Sequence, residues 1–330
     1  MRMVAASLAA VLAAASIMGC GDGGAEPGAL RGATLVLDFQ PNAVHAGIYA
    51  ALAEGYYADR GVDLDVQEPS ASTDAPKLLI AGRADFSILD IHDLGLARER
   101  GLKLVGLMPI VQRPLAAVIV ANRHEVHRPA DLAGRTVGVT GLPSDDAVLD
   151  SVLQADGASP NSVHRVTIGF AAISSLAAGR VAAATAFWNA EGVTLRREGI
   201  PIREFRVDDY GAPRYPELVL ATSGRLLSRD PSLARRVVEG TTRGYALAAK
   251  DPALALDDLL DANDSLDRDE QAAELHALEG SRAFQPVGRF DRSAVAAWAR
   301  WDVQHGILRH PPQGGGFLLR GDRLNLRRGS

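Results

Sequence analysis

Apolar and polar positions alternate with two different periods along most of the chain. Short runs rich in Val, Ile, Leu and Ala are typical of buried strands, and segments between several of them have the helical period. The predicted strands are 34–39, 62–66, 86–89, 102–108 and 116–121 in a first set, and 135–140, 164–168, 181–187, 202–207 and 217–222 in a second set. From residue 230 onward the pattern is almost wholly helical. This alternation predicts mostly parallel, doubly wound α/β lobes.

One short pattern, Leu-x-Ala-Gly-Arg, occurs twice, at residues 79–83 and 176–180. In each copy a short helix is predicted to end at the glycine, which can adopt the left-handed C-cap conformation, and a buried strand follows. The repetition predicts two similarly built lobes instead of one large domain. Chance similarity in an alanine-rich chain is the alternative.

Candidate site residues follow from the position of these strands. In parallel α/β sheets, ligands bind beyond the carboxyl ends of the strands. The side chains that this rule selects are Phe39, Gln40, Asn42, His45, Asp90, His92 and Asp93 on one lobe, and Trp188, Asn189 and Glu191 on the other. The stretch LDFQPNAVHAGIYAAL at 37–52 is therefore predicted to form part of a cleft wall.

Composition limits the compartment and the partners. The net charge of −5 leaves no basic field of the kind that nucleic-acid binding requires. Cys20 is the only cysteine, so no disulfide can form within the chain. No phosphate-binding loop, metal-ligand cluster or catalytic triad pattern stands out, so we predict neither a cofactor nor a metal.

The N-terminus has the features of an export signal. An apolar run at 4–18 is shorter than the roughly 20 residues that span a bilayer, so residues 1–19 are predicted to be a signal peptide. Gly19 before Cys20 resembles the lipobox of bacterial lipoproteins, which predicts an exported chain anchored at the membrane by lipid on Cys20. An ordinary secretory signal is the alternative. Residues 20–33 are rich in Gly, Ala and Pro and are predicted to be a flexible tether.

Several segments together resemble a known family. They are LDFQPNAVHAGIYAA, EGYYADRGVDLDV, AGRADFSI, DLAGRTVGV and FWNAEG. The chain is similar in them to the thiamine-precursor (aminopyrimidine) binding proteins of bacterial ABC importers, whose fungal relatives are enzymes that make the thiamine pyrimidine phosphate. The similarity extends from about residue 34 to about residue 300, and Pro-Asn-x-x-His-x-Gly is its most specific part.

The resemblance implies a type II periplasmic binding protein fold, a two-lobed α/β Venus flytrap with two crossing strands near 116–121 and 217–222. The implied parts are lobe 1 at 34–118 and 221–310, lobe 2 at 119–220, and a C-terminal tail at 311–330. It also implies a small heteroaromatic ligand in the interlobe cleft and an ABC permease as the membrane partner.

Two interpretations remain open for most candidate side chains of the first wall. Asn42 is either the N-cap of a helix or a ligand contact, and its amide is able to be both. His45 is either a solvated first-turn residue or a cleft residue. His92 follows a strand between two aspartates and is predicted to face the cleft.

The second wall is predicted to supply what an aminopyrimidine needs. Trp188 offers a stacking face and Glu191 an acceptor for the exocyclic amine, with Asn189 between them. Lobe packing is the alternative for Trp188. Tyr210 and Tyr215 lie in a loop before the second crossing, where they either line the cleft mouth or brace the loop.

Departures from the family bear on the choice between binding and catalysis. Phe39 stands where relatives often carry tryptophan, which keeps a stacking face but removes an indole donor. His92 aligns with the histidine that the fungal enzyme consumes as a substrate, yet the cysteine-rich, metal-linked stretch of that enzyme has no counterpart. We therefore predict a binding protein, with a pyrimidine-synthesising enzyme as the alternative.

Another ligand on the same scaffold is a further alternative, either a riboflavin-like heteroaromatic or a sulfonate or nitrate. Anion sites use helix N-termini whose N–H groups are free. Asp145 and Asp146 occupy the first turn of the most obvious helix start in the second lobe, and their charges would repel an anion. The sequence thus favours a neutral or weakly cationic aromatic ligand.

Overall fold

The computed structural model describes residues 29–121, 126–312 and 317–318. The predicted signal peptide, Cys20, most of the predicted tether and most of the predicted tail lie outside these ranges. Within them, no helix has both the length and the apolar character needed to span a bilayer.

Ten strands and eleven helices make up the described part of the chain. The strands are β1 (Arg31–Val36), β2 (Val62–Gln67), β3 (Phe86–Asp90), β4 (Leu104–Pro109), β5 (Ala116–Ala121), β6 (Thr136–Val139), β7 (His164–Thr167), β8 (Ala183–Phe187), β9 (Ile202–Arg206) and β10 (Leu218–Ser223). The helices are α1 (Ala46–Ala53), α2 (Asp74–Ala81), α3 (Ile91–Glu99), α4 (Pro143–Ala155), α5 (Ala172–Ala177), α6 (Glu191–Arg197), α7 (Gly224–Arg229), α8 (Pro231–Lys250), α9 (Pro252–Asp261), α10 (Arg268–Gly280) and α11 (Arg292–Gln304). All ten predicted strands are present, with small differences at their ends.

The first strand differs most from its predicted bounds. β1 begins at Arg31, inside the segment predicted as tether, because it pairs in parallel with β2 from Arg31 onward. It ends at Val36, so Leu37, Asp38 and Phe39 belong to the loop that follows.

Each lobe is built on one five-stranded sheet, and the two sheets have the same plan. The order is β2-β1-β3-β10-β4 in the first and β7-β6-β8-β5-β9 in the second. The fourth strand in each sheet is β10 in the first and β5 in the second, and it is antiparallel to both of its neighbours. The chain enters each of these strands directly from the other lobe. The lobes are therefore similar units that exchange one strand.

The repeated pentapeptide occupies equivalent places in the two sheets. Gly82, with φ of 69°, caps the C-terminus of α2, and β3 follows. Gly179, with φ of 67°, comes just after α5, and β8 follows. β3 and β8 are each third in their sheet. The prediction of left-handed glycines before buried strands in two similar lobes is confirmed.

Two crossings join the lobes. The chain passes between the sheets after β4, at residues 110–115, and again before β10, at residues 207–217. β5 lies wholly in the second sheet and β10 wholly in the first, directly after each crossing. The predicted lobe boundaries at 118/119 and 220/221 fall inside these two strands.

The C-terminal helices brace this arrangement. α8 packs along α1, where Gly47 and Gly244 allow the two backbones into contact. α10 packs both on the 3-10 turn Ala43–His45 of the first lobe and on α6 of the second, where Thr194 donates a hydrogen bond to Glu270. The C-terminal region thus adds a third connection between the lobes.

Candidate functional site

A cleft, partly open to solvent, lies between the lobes. Its first wall consists of the loop after β1, the start of α2 and the β3–α3 junction. Its second wall consists of the start of α4, the loop after β7 and the β8–α6 junction. The cleft therefore lies beyond the carboxyl ends of the parallel strands, at the edge that the general rule for α/β sheets selects.

The loop after β1 is held by a chain of hydrogen bonds. Asn42 caps the turn Ala43–His45, with its Oδ1 accepting from Val44 N at 2.9 Å. His45 Nδ1 accepts from Asn42 N at 3.2 Å, so its hydrogen is on Nε2, which donates to Asp38 Oδ1 at 3.0 Å. Asn42 lines the cleft, whereas His45 is fully buried behind it. The histidine therefore positions the Asp38 carboxylate, and Asn42 is a cap that also lies on the wall.

Aromatic rings face the cleft from both lobes. Phe39 of the first lobe meets Phe170 of the second edge to face, with ring centroids 4.7 Å apart and planes at 82°. Phe187, at the end of β8, lines the same cleft. These rings offer a flat ligand the stacked and edge-on contacts that aromatic groups prefer.

Five carboxyl groups also line the cleft, three from the first lobe and two from the second. They are Asp38, Asp90, Asp93, Asp145 and Glu191. Backbone N–H groups hold Asp90, Asp145 and Glu191 in place, with N···O distances of 2.6, 2.6 and 3.0 Å. Acidic groups on both walls favour a ligand rich in N–H donors or positively charged, and they disfavour an anion.

Two hydrogen bonds join the walls directly. Ser144 Oγ donates to Asp93 Oδ2 at 2.9 Å, and Ser72 Oγ donates to the Thr140 carbonyl at 2.9 Å. Burial raises the pKa of Asp93 to about 8, and the neighbouring Asp90 charge adds to the shift. Because both bonds link one lobe to the other, the structure represents a closed form of the protein.

Glu191 gives the closed form a dependence on pH. Burial raises the pKa of Glu191 from 4.5 to about 7, and the charges of Asp145 and Asp38 act in the same direction. The folded protein therefore holds a proton that the unfolded chain releases at lower pH. This contribution to stability is complete below about pH 4.5 and is lost as the pH rises to about 7.

We expect the melting temperature of the unliganded wild type to fall, relative to that of Glu191→Gln, as the pH rises through this window. Melting curves of both proteins at a series of pH values measure the difference. A difference that stays constant from acid to neutral pH contradicts the assignment.

Like His45, the predicted site residues His92 and Tyr215 do not line the cleft. Both are fully buried, and their rings meet edge to face with centroids 5.0 Å apart. His92 Nδ1 lies 2.9 Å from Asp302 Oδ2 and 3.0 Å from Trp298 Nε1, both on α11. The packing of α11 under the β3–α3 junction thus takes His92 away from the cleft surface.

Trp188, Asn189 and Tyr210 also lie off the cleft walls. Trp188 is buried, its Nε1 donates to the Pro114 carbonyl at 3.1 Å, and the guanidinium carbon of Arg206 lies 4.3 Å from the ring centroid. Asn189 is fully buried. Tyr210 packs on a neighbouring phenylalanine of the second lobe. The strand-end rule locates a backbone segment, but successive side chains leave it in different directions, so Glu191 enters the cleft and Trp188 does not.

Several cleft residues, among them Asp38, Phe170, Phe187 and Asp145, were not selected as ligand contacts from the sequence. Asp38 lies within the stretch first singled out, directly before Phe39. Phe170 follows β7, so the strand-end rule applied to that strand would have found it. Asp145 was interpreted only as a charge at a helix start, yet it lines the cleft from the first turn of α4.

Two similar α/β lobes joined by two crossings and closed over a cleft define the type II periplasmic binding protein fold. The alkanesulfonate-binding protein SsuA from Xanthomonas axonopodis pv. citri has this fold, with a TM-score of 0.68, 18% identity, and coverage of 86% of this chain and 96% of that one. The nitrate-binding protein NrtA from Synechocystis matches with a TM-score of 0.68, 11% identity, and coverage of 89% and 87%. The predicted fold class is confirmed.

The chain belongs to the NMT1/THI5-like family, whose model matches residues 42–255. It is 31% identical to the formylaminopyrimidine-binding protein of Halalkalibacterium halodurans, over 86% of this chain and 88% of that protein. It is also 28% identical to the riboflavin-binding protein RibY of Chloroflexus aurantiacus, over 69% and 65%. The 4-amino-5-hydroxymethyl-2-methylpyrimidine phosphate synthase THI5 of Saccharomyces cerevisiae is 21% identical over 72% of both chains. The family resemblance drawn from the sequence is confirmed.

Proposed function

We propose that this protein is the substrate-binding component of an ABC importer and that its cleft binds a thiamine-precursor pyrimidine of the formylaminopyrimidine or hydroxymethylpyrimidine type. The observation that carries the proposal is the pairing of carboxyl groups and phenylalanine rings on both walls of one closed cleft. The relationship to a formylaminopyrimidine-binding protein supports the same ligand class.

The cleft chemistry matches an aminopyrimidine in two respects. Its flat ring can pack against the phenylalanine rings that line the cleft, Phe39, Phe170 and Phe187, while its amine donates hydrogen bonds to Asp38 or Glu191. A sulfonate or nitrate would instead meet five carboxyl groups without a compensating cation among the lining residues. The fold is shared with sulfonate and nitrate binders, but the charge of this cleft favours the heteroaromatic ligand.

Ligand-induced closure follows from the same charges. Asp38 belongs to the first lobe, Asp145 and Glu191 belong to the second, and the charges of the first two raise the pKa of Glu191. Repulsion between these carboxyl groups opposes closure of the empty cleft. A ligand with several N–H donors offsets that repulsion, so it shifts the population toward the closed form that the permease would recognise.

Thermal melting with defined ligands tests the proposal. A formylated aminopyrimidine at about 100 times its dissociation constant should stabilise the protein by about 2.7 kcal/mol, a readily measured rise in melting temperature. Taurine and nitrate should leave the melting temperature unchanged. A rise with taurine or nitrate, and none with aminopyrimidines, would falsify the proposed ligand class.

We also propose binding without catalysis, against the alternative offered by the synthases of the family. His92 is fully buried, with Asp302 and Trp298 at its Nδ1, and it does not line the cleft. The ligand should be recovered unchanged after incubation, and the peptide containing His92 should keep its mass in the presence of pyridoxal phosphate and iron. A loss of mass at His92 favours the enzyme.

The proposed location is the extracytoplasmic face of the membrane, with lipid on Cys20 as the anchor. Cys20 follows a short apolar run and Gly19, and no other cysteine occurs in the chain. In the native host, Cys20→Ala should move the protein from the membrane fraction to the soluble fraction, as measured by fractionation and immunoblotting. A variant that stays with the membranes would rule out the anchor.

A further inference from the structure

Three side chains able to bind a metal ion meet beneath the cleft, next to the crossing segments. Asp90, His92 and Glu217 each offer one ligand atom, and these atoms lie within 4.8 Å of one another. Asp90 ends β3, His92 lies in the first turn of α3, and Glu217 directly precedes β10. The cluster therefore connects the first lobe to the second crossing.

The two carboxylates are each fixed through one oxygen. Asp90 Oδ1 accepts from His92 N at 2.6 Å. Glu217 Oε2 accepts from the N–H groups of Leu115 and Ala116, at the end of the first crossing. The other oxygen of Glu217, Oε1, is buried and has no hydrogen-bond partner among the described residues. Burial and the neighbouring Glu217 charge raise the pKa of Asp90 well above its usual value, so an ion would displace a proton from this pair of carboxyl groups.

The histidine is held in the same manner. Its Nδ1 lies 2.9 Å from Asp302 Oδ2. Trp298 Nε1, which can only donate, also points at this nitrogen at 3.0 Å, so Asp302 and Trp298 compete for Nδ1. With Nδ1 donating to Asp302, an ion would displace the proton from Nε2, which is fully buried without a partner in the described part of the chain. Histidine ligands of metal ions typically donate their other N–H to a carboxylate in this way.

We propose that Asp90, His92 and Glu217 form a binding site for a divalent transition metal ion, with Zn²⁺ as the best fit. One imidazole and two carboxylates suit zinc, which keeps a fourth position open for water in sites with three protein ligands. Zinc lies about 2.0–2.2 Å from such ligands, which places tetrahedral ligand atoms about 3.4 Å apart. The three ligand atoms, now within 4.8 Å of one another, would have to approach to this spacing on binding.

The position of the site determines how an ion would enter and which segments it would stabilise. Asp90 lines the cleft, so an ion enters from the cleft floor. Once bound, it links β3 and α3 to Glu217, whose other oxygen holds the backbone of the first crossing. The ion therefore braces the segments about which the lobes close.

Titration of the EDTA-treated full chain with Co²⁺ tests the site. We expect saturable binding of one ion per chain, a visible absorption band of bound Co²⁺, and a rise in melting temperature. Asp90→Asn keeps the cap on His92 N but should remove the absorption band. Asp302→Asn, which alters only the partner of His92, should weaken binding on the order of 10- to 100-fold.

Controls separate loss of the site from loss of the fold. Asp258→Asn changes a buried carboxyl on α9 and should bind Co²⁺ as the wild type does. Circular dichroism establishes that each variant is folded, and Glu217→Gln provides a second ligand variant. Absence of saturable Co²⁺ binding by the wild type, or binding that folded Asp90→Asn leaves unchanged, overturns the proposal. In either case the charges of Asp90, His92 and Glu217 are balanced by protons, without a metal ion.

Discussion

Glu191→Gln should weaken aminopyrimidine binding by about 1–3 kcal/mol, roughly 5- to 150-fold in the dissociation constant. Glu191 opens α6 on the second wall, and Phe187 N holds its Oε2 at 3.0 Å. Glutamine keeps the shape and the bond to Phe187, but it replaces the second carboxyl oxygen, which can accept, by an amide nitrogen that only donates. A ligand amine at this position then loses its partner. Calorimetric titration of both proteins measures the change.

Two companion variants define what that loss means. Glu198→Gln changes an exposed glutamate at the end of the same helix and should bind the ligand as the wild type does. Asn42→Ala removes the cap from the turn Ala43–His45 and should lower the free energy of unfolding by about 1 kcal/mol. If Asn42→Ala and Glu191→Gln both bind aminopyrimidines normally, the ligand occupies another part of the protein.

Gly244→Ala should lower the free energy of unfolding by about 1–3 kcal/mol or more. Gly244 lies in α8 against α1, and a Cβ at this position would overlap the carbonyl oxygen of Gly47 and crowd Ala51. This overlap is relieved only if the two helices separate, because backbone atoms and not flexible side chains occupy the space. α1 directly follows the Asn42–His45 turn, so the same movement disturbs the first wall of the cleft. Chemical denaturation of the purified variant measures the loss.

Gly280→Ala is the matched control for that substitution. Gly280 is the last residue of α10, and a Cβ there would meet nothing within 4 Å. We expect its free energy of unfolding to stay within about 0.5 kcal/mol of the wild type, as for most surface positions. Equal stability of the two variants would show that the α1–α8 contact tolerates the extra methyl group.

Local sequence signals were sufficient for the elements of this fold. Most strands are short apolar runs or alternate apolar with polar residues, and both glycines of the repeated pentapeptide adopt positive φ before a buried strand. Such signals act over a few residues, where burial and backbone conformation depend on the residue types themselves. The exchange of β5 and β10 between the sheets depends on hydrogen bonding between distant segments, and here it was inferred only through the family resemblance.

The sequence by itself determined the α/β elements, the two-lobed plan and five of the cleft residues, Phe39, Asn42, Asp90, Asp93 and Glu191. The tertiary structure alone decided which neighbouring side chains share that cleft. It turns Trp188 and His92 into the protein, although both follow strands that end at the cleft. It also joins Asp93 to Ser144 across the lobes, a contact between residues of two separate helices. The reason is geometric. The position of a strand in the sheet fixes where that strand ends, whereas the packing of distant segments fixes the direction of each side chain that follows it.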